Sequence, residues 1–197
     1  MARNRDPFMS ALRRLRARAV GAAFTPGRPI VILDEAQAIG LSTTPVREAL
    51  SWLGGEGLVE RGAAGGYVGL RAEPSLVAAR YRMRLRCLLA AVDETPPVVA
   101  SLLTTHAGNF LDDIVAASSD PILTVVYRRM QDQLAPLIAL EPEILGQDDA
   151  GLGEIADALS DAAKLKDALL RHHRLRIDAA PLLAAALERR CAEPGPM

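Results

Sequence analysis

Residues 40–59 constrain this chain more than any other stretch. They open on Gly40, a residue suited to the left-handed conformation that ends a helix, and continue Leu41, Ser42, Thr43, Thr44, Pro45. Serine and threonine hydroxyls accept hydrogen bonds from the orphan amides of a first helical turn. A proline in that turn lacks only an amide that would have no partner there. On a helix starting near Ser42, Val46, Ala49, Leu50 and Leu53 recur at i, i+3, i+4 and i+7, an apolar stripe. Thr43, Thr44, Arg47 and Ser51 fall on the opposite side. The glycines Gly54, Gly55 and Gly57 mark the end of this helix.

The flanking sequence extends the pattern. A helix is expected over 10–23, with Leu12, Leu15 and Val20 or Ala19 on its apolar side and a break at Thr25-Pro26-Gly27. Residues 29–32 are a short apolar run, either a small strand or the entry to a second helix over 34–39. After the third helix, residues 58–61, a glycine-rich 62–66 and residues 67–70 read as a two-stranded hairpin. Helix, helix, turn, helix, hairpin is the order of a winged helix-turn-helix. The outer face of its third helix starts with short side chains and carries one arginine, a surface able to enter a major groove roughly 12 Å wide. There Arg47 would reach guanine or phosphate, and the hydroxyls phosphate or base edges. Taken alone, such a face is also what an ordinary solvated helix presents.

Charge divides along the chain. Residues 1–72 hold ten arginines against six acidic residues, a net +4, and residues 73–197 carry −5. A basic first part joined to an acidic second part suits a nucleic-acid-binding module with a separate partner domain. Aromatic residues are 4% of the chain, which favours helix on helix over a sheet sandwich. Cys87 and Cys191 have no metal-ligand spacing, in keeping with a reduced, cytoplasmic setting. No leader segment is visible, and no run approaches the roughly 20 apolar residues of a membrane span.

The 40–59 stretch resembles the signature of the GntR family of winged-helix regulators. The resemblance is carried by Ile39 to Ser42, the unbroken run Thr44 to Leu50, then Leu53, Glu56 to Val59, and Gly66 with Val68, and spans about 12–70. It implies a recognition helix that includes Thr44, Pro45 and Arg47, and a wing whose Gly65, Gly66 and Tyr67 approach the minor groove. With the outer face, this gives Ser42, Thr43, Thr44, Pro45, Arg47, Ser51, Arg61, Gly65, Gly66 and Tyr67 as the expected DNA contacts. The sequence departs from the family where Thr43 and Leu33 stand at positions that commonly hold arginine, which should weaken affinity or shift the recognised sequence. Arg3, Arg5, Arg13, Arg14, Arg16 and Arg18 are the candidates to compensate, unless they form a solvated face. Trp52 replaces a commonly polar residue and is read as an interdomain or dimer contact, or else as ordinary partial burial.

The second part shows long helical patterns, expected over 75–91, 98–117, 121–140, 152–170 and 178–191, with Asp120 and Pro121 as cap and first turn. It is similar to the all-helical effector (FCD) domain of the FadR-type branch through Phe110-Leu111 to Ala117-Ser118, Asp120-Pro121, and Glu154-Ile155 to His172. That resemblance implies a divalent metal held by one Asp and three His, itself holding a small carboxylate. Here the Asp falls on Ala107, two His fall on Leu111 and Leu152, and the last survives as His172 or His173. Alanine and leucine cannot ligate a metal, so no metal and no cofactor are expected. Arg82, Arg86 and His172 are the residues expected to hold a small anionic metabolite. Arg84, in the same alternating run, could anchor the anion as well, though such a run covers more than one helical face, so at least one of the three is solvated.

The chain is thus expected to be mostly α, with a winged helix-turn-helix over 1–72 and an all-α antiparallel domain over 73–197. It reads as a cytoplasmic DNA-binding transcription repressor acting as a homodimer on a near-palindromic operator, under the control of a small effector. The alternative, suggested by Thr43 and Leu33, is a dimeric interaction protein whose winged helix no longer reads a specific operator. No enzyme is expected: residues 62–66 lack the lysine and helix of a phosphate loop, and no nucleophile has a partner at recognisable spacing.

Overall fold

The structure is a computed structural model that describes residues 6–95, 110–146 and 152–192. It is mostly helical, with ten helices and one two-stranded antiparallel sheet among the described residues. It divides into two compact units, residues 1–72 with 187–197, and residues 73–186. None of the described helices is long and apolar enough to cross a membrane.

In the first unit, α1 (Pro7–Val20) starts three residues before the expected Ser10. Asp6 and Pro7 form a cap and first-turn pair, the Asp6 carboxylate accepting from the Phe8 amide at 3.0 Å. Next come α2 (Ile32–Ile39) and α3 (Thr43–Glu56), each ended by a left-handed glycine, Gly40 and Gly57. Gly54 and Gly55 stay helical. Leu12, Leu15, Ile39, Val46, Leu50 and Leu53 bury their stripes against one another, closing a core between the three helices. The hairpin pairs β1 (Val59–Arg61) with β2 (Tyr67–Gly69), Arg61 opposite Tyr67.

The run 29–32 takes both of its expected roles. The Ile30 amide donates to the Tyr67 carbonyl at 2.8 Å, and Pro29 bridges Val68, while Ile32 opens α2. This third, partial strand brings the chain so close to β2 that Gly69 has no room for a side chain. A Cβ there would sit 2.8 Å from the Phe24 carbonyl oxygen and closer still to that of Thr25. Gly69→Ala should therefore cost about 1–3 kcal/mol of stability through overpacking, read from urea melts of the full chain. Unchanged stability would mean that the 24–26 loop does not press on the wing.

In the second unit, α4 (Pro74–Glu94) lies against α6 (Pro121–Ile138) and α9 (Ala162–Asp178). The shorter α5 (Phe110–Ala116), α7 (Glu141–Leu145) and α8 (Leu152–Ala158) complete the layer, and α10 (Ala180–Ala192) follows α9 after one residue. Leu88, Val92, Ile114, Tyr127, Ile155 and Leu169 form its apolar centre. Of the helix expected over 98–117, residues 98–109 lie outside the described residues. The helix expected over 152–170 is two helices. Asp161 breaks it by capping α9, its carboxylate accepting from Ala163 and Lys164 amides at 3.0 and 3.1 Å. That restart carries α9 through to residue 178 and places His172 and His173 mid-helix. Asp120 caps α6 as its sequence context predicts, at 2.8 and 3.2 Å from the Ile122 and Leu123 amides.

Candidate nucleic-acid interface

The buried stripe of α3 fixes what its outer face presents. Val46, Ala49, Leu50 and Leu53 are fully buried, and Ser42, Thr44, Arg47 and Ser51 are exposed, with Thr43 half-buried. The Ser42 side chain makes no capping hydrogen bond. Arg47 makes no hydrogen bond or ion pair with any described residue, so its guanidinium is available to a partner. Pro45 needs correction as a contact residue: its ring is buried, and its part is to shape the first turn. The same outer face also carries Glu48, and Trp52 at 55% exposure. Trp52 meets the Phe8 ring edge-on at 6.1 Å and donates to Glu56 at 2.9 Å.

Of the four α1 arginines, Arg13 is exposed and the other three are engaged within the unit. Arg14 donates to the Ile39 carbonyl at 3.1 Å, Arg16 to Glu56 at 2.7 Å, and Arg18 pairs with the buried Glu35 at 2.7 Å. Those three tie α1 to α2 and α3, which is a structural task. Arg3 and Arg5 lie outside the described residues.

The wing is small at its tip and braced at its base. Gly65 and Gly66, at φ +90° and +71°, adopt a conformation that side chains resist, and both are exposed. The Gly65 amide closes the turn on the Gly62 carbonyl at 3.0 Å. Arg61 is exposed with its guanidinium 5.5 Å above the Tyr67 ring. Tyr67 is half-buried, and its ring lies against Gly54 of α3, where a Cβ would meet it at 3.5 Å. Tyr67 thus holds the wing to the helix more than it reaches outward.

The second unit buries a polar cluster. Of the arginine run, Arg82 and Arg86 are exposed and Arg84 is the buried member at 4% exposure. With it are Tyr81 and Tyr127, His172 and His173, Glu141 and Arg176. Glu141 accepts from the Tyr81 hydroxyl at 2.7 Å and pairs with Arg176 at 2.8 Å. Tyr127 donates to Asp112 at 2.8 Å. Burial, foremost, pushes both tyrosine hydroxyls above their ordinary range. Burial followed by nearby arginine charge pulls His172 down to about 2, and burial followed by Arg84 pulls His173 down to about 3. Both imidazoles are therefore neutral at physiological pH.

A metal does not fit. Leu111 sits in the apolar centre at 2% exposure and Leu152 packs partly buried against it, where the family's pattern would place ligands. Among the described residues no three His, Cys, Asp or Glu side chains gather to hold an ion. His106 lies outside the described residues.

No protein-family model matches the sequence, and no curated protein is detectably similar to it. Among solved structures, E. coli McbR/YncC superposes with a TM-score of 0.66 over 90% of this chain and 98% of that one, at 18% identity. The two share a fold. The likeness spans both units and, at that identity, concerns architecture alone. A Listeria monocytogenes protein, Lar, described as controlling expression of the agr system and mediating virulence, aligns over 96% of this chain and 98% of its own. Its 12% identity and TM-score of 0.44 add nothing to that result.

Proposed function

We propose that this chain is a transcription regulator that binds double-stranded DNA through α3 and the wing. The observation that carries the reading is Arg47, an exposed guanidinium without a partner among the described residues, flanked by Ser42, Thr44 and Ser51 on the open face of α3. A planar fork in that position suits the O6 and N7 of guanine, and hydroxyls beside it suit phosphate. The exposed glycine tip of the wing suits close approach to a second stretch of backbone. The expected assembly is a homodimer on a near-palindromic operator, with the second unit acting as a FadR-type effector domain and repression as the outcome. Localisation in the cytoplasm follows from that role.

Fluorescence anisotropy against DNA upstream of the chain's own gene, at two salt concentrations and beside an unrelated duplex, tests this. Tight binding that exceeds the control and falls with salt supports the reading. Arg47→Ala should then weaken operator binding by about 1–3 kcal/mol, the worth of one good base contact. Wild-type affinity in that variant would show that α3 does not read the groove through this face.

Trp52 favours a second reading, an interaction protein built on a winged helix. A half-exposed indole beside Glu48 suits a protein surface better than a phosphate backbone. Equal, weak binding to both duplexes would move the assignment there.

A further inference from the structure

Trp52 is the chain's sole tryptophan, and it is exposed yet fixed in place. Its indole Nε1 donates to Glu56 at 2.9 Å, and Glu56 is itself held by Arg16 at 2.7 Å. The Phe8 ring meets it edge-on, with centroids 6.1 Å apart and ring planes at 70°. A surface tryptophan without such ties samples several rotamers and presents no lasting face. Here the ring is set before any partner arrives, which spares the ordering cost that weakens binding to mobile side chains.

The two rings are walls of one open groove of about 730 Å³, lined by Phe8, Glu48, Ser51, Trp52, Gly55 and Glu56. All six belong to α1 and α3 of the first unit. The charge on these walls has one sign. Glu48 lies one turn before Trp52 on α3, so its side chain and the indole are neighbours on the helix surface. Glu48 is exposed and makes no hydrogen bond or ion pair among the described residues.

These surroundings select among occupants. An anion would meet the Glu48 carboxylate. A neutral apolar group would cover the rings and leave that carboxylate unanswered. A primary ammonium brings three donors, each wanting an acceptor. For these the groove holds Glu48 and the Ser51 hydroxyl, while Glu56 already accepts from Trp52 and Arg16. A quaternary ammonium has no N–H to satisfy, and its charge is drawn to aromatic faces and to a carboxylate beside them.

We propose that Phe8, Trp52 and Glu48 form a binding site for a small quaternary ammonium compound, with the cation in the corner between the two ring planes and Glu48 as its counter-charge. The site stands whether or not α3 reads DNA, and it gives Trp52 a small cation in place of a protein partner.

The test is titration of the full chain with choline and acetylcholine, followed by Trp52 fluorescence and by calorimetry. Each is set beside the neutral isostere in which carbon replaces the nitrogen, and spermidine is the further arm. At least one of the two cations should bind with a saturable change in Trp52 emission. Its neutral isostere should bind at least about fivefold more weakly, as loss of a cation–π contact implies. Trp52→Leu, read by calorimetry, should weaken the same cation at least about fivefold, and Trp52→Phe should recover part of that loss. Glu48→Gln should weaken it about two- to fivefold, the worth of one exposed charge pair. Both side chains are exposed, so the variants should fold, and the comparison of cation with isostere on the wild-type chain needs no variant. The proposal is overturned if neither cation binds, if the isosteres bind equally, if spermidine binds more tightly than both, if Trp52 emission stays unchanged at saturation, or if folded Trp52→Leu binds as wild type does.

Discussion

Glu141→Leu should destabilise the chain by about 3–5 kcal/mol, the cost of breaking a buried ion pair by removing one partner. The loss is not the bond itself but what remains behind. Arg176, at 3% exposure, would keep its charge with no carboxylate at 2.8 Å, and the Tyr81 hydroxyl would lose its acceptor at 2.7 Å. Glu141→Gln should cost less, since an amide oxygen still accepts from one of the two. The double variant Glu141→Leu with Arg176→Met should recover most of the loss, because apolar groups of similar volume need no partner in a low-dielectric core. Urea melts of Glu141→Leu, Arg176→Met and the double variant form the cycle, and a double variant as unstable as the sum of the two singles would show that the pair is not coupled.

How much of this was legible in the sequence depends on which residues spoke through spacing. The third helix did: Val46, Ala49, Leu50 and Leu53 define the buried stripe, and Arg47 is exposed as that stripe requires. Pro45 did not, because a proline placed for its φ looks the same in sequence as one placed for contact. The engagement of Arg14, Arg16 and Arg18 was not legible, because their partners, Ile39, Glu56 and Glu35, lie on other elements that sequence spacing cannot bring together.

The buried cluster was legible in part. Val77, Tyr81, Arg84, Leu88 and Ala91 follow one another at spacings of four, three, four and three, and every one is buried. That stripe singles out Arg84 from its alternating neighbours Arg82 and Arg86. Leu165, Leu169, His172 and Arg176 repeat the pattern on α9. The signal was masked because charged residues are discounted when a stripe is sought, and because the α9 helix was ended before His172. Glu141 had no such signal. It opens a five-residue helix, and only the tertiary fold brings it to Arg176.

Acid should unfold this chain earlier than carboxylate titration alone would. His172 and His173 are held near 2 and 3 in the fold, and in the unfolded chain both return to about 6.5. Below that value the unfolded state takes up two protons that the folded state refuses, so stability falls as pH falls. The contribution is complete above about pH 6.5 and is lost progressively down toward the folded values. Each histidine contributes a slope approaching about 1.4 kcal/mol per pH unit, so the pair removes about 4 kcal/mol between pH 7 and pH 5. That is a large share of the roughly 5–15 kcal/mol that holds most domains folded. The window lies above the ordinary range of aspartate and glutamate, which separates the two causes. Urea melts across pH 5 to 7 should show the fall in wild type and in His106→Ala. The fall should largely vanish in the double variant His172→Phe with His173→Gln, whose amide can still donate toward the Leu169 carbonyl. A flat wild-type profile would mean that protons reach these rings in the folded state, and that burial, with the charge of Arg84 and Arg176, does not keep them neutral.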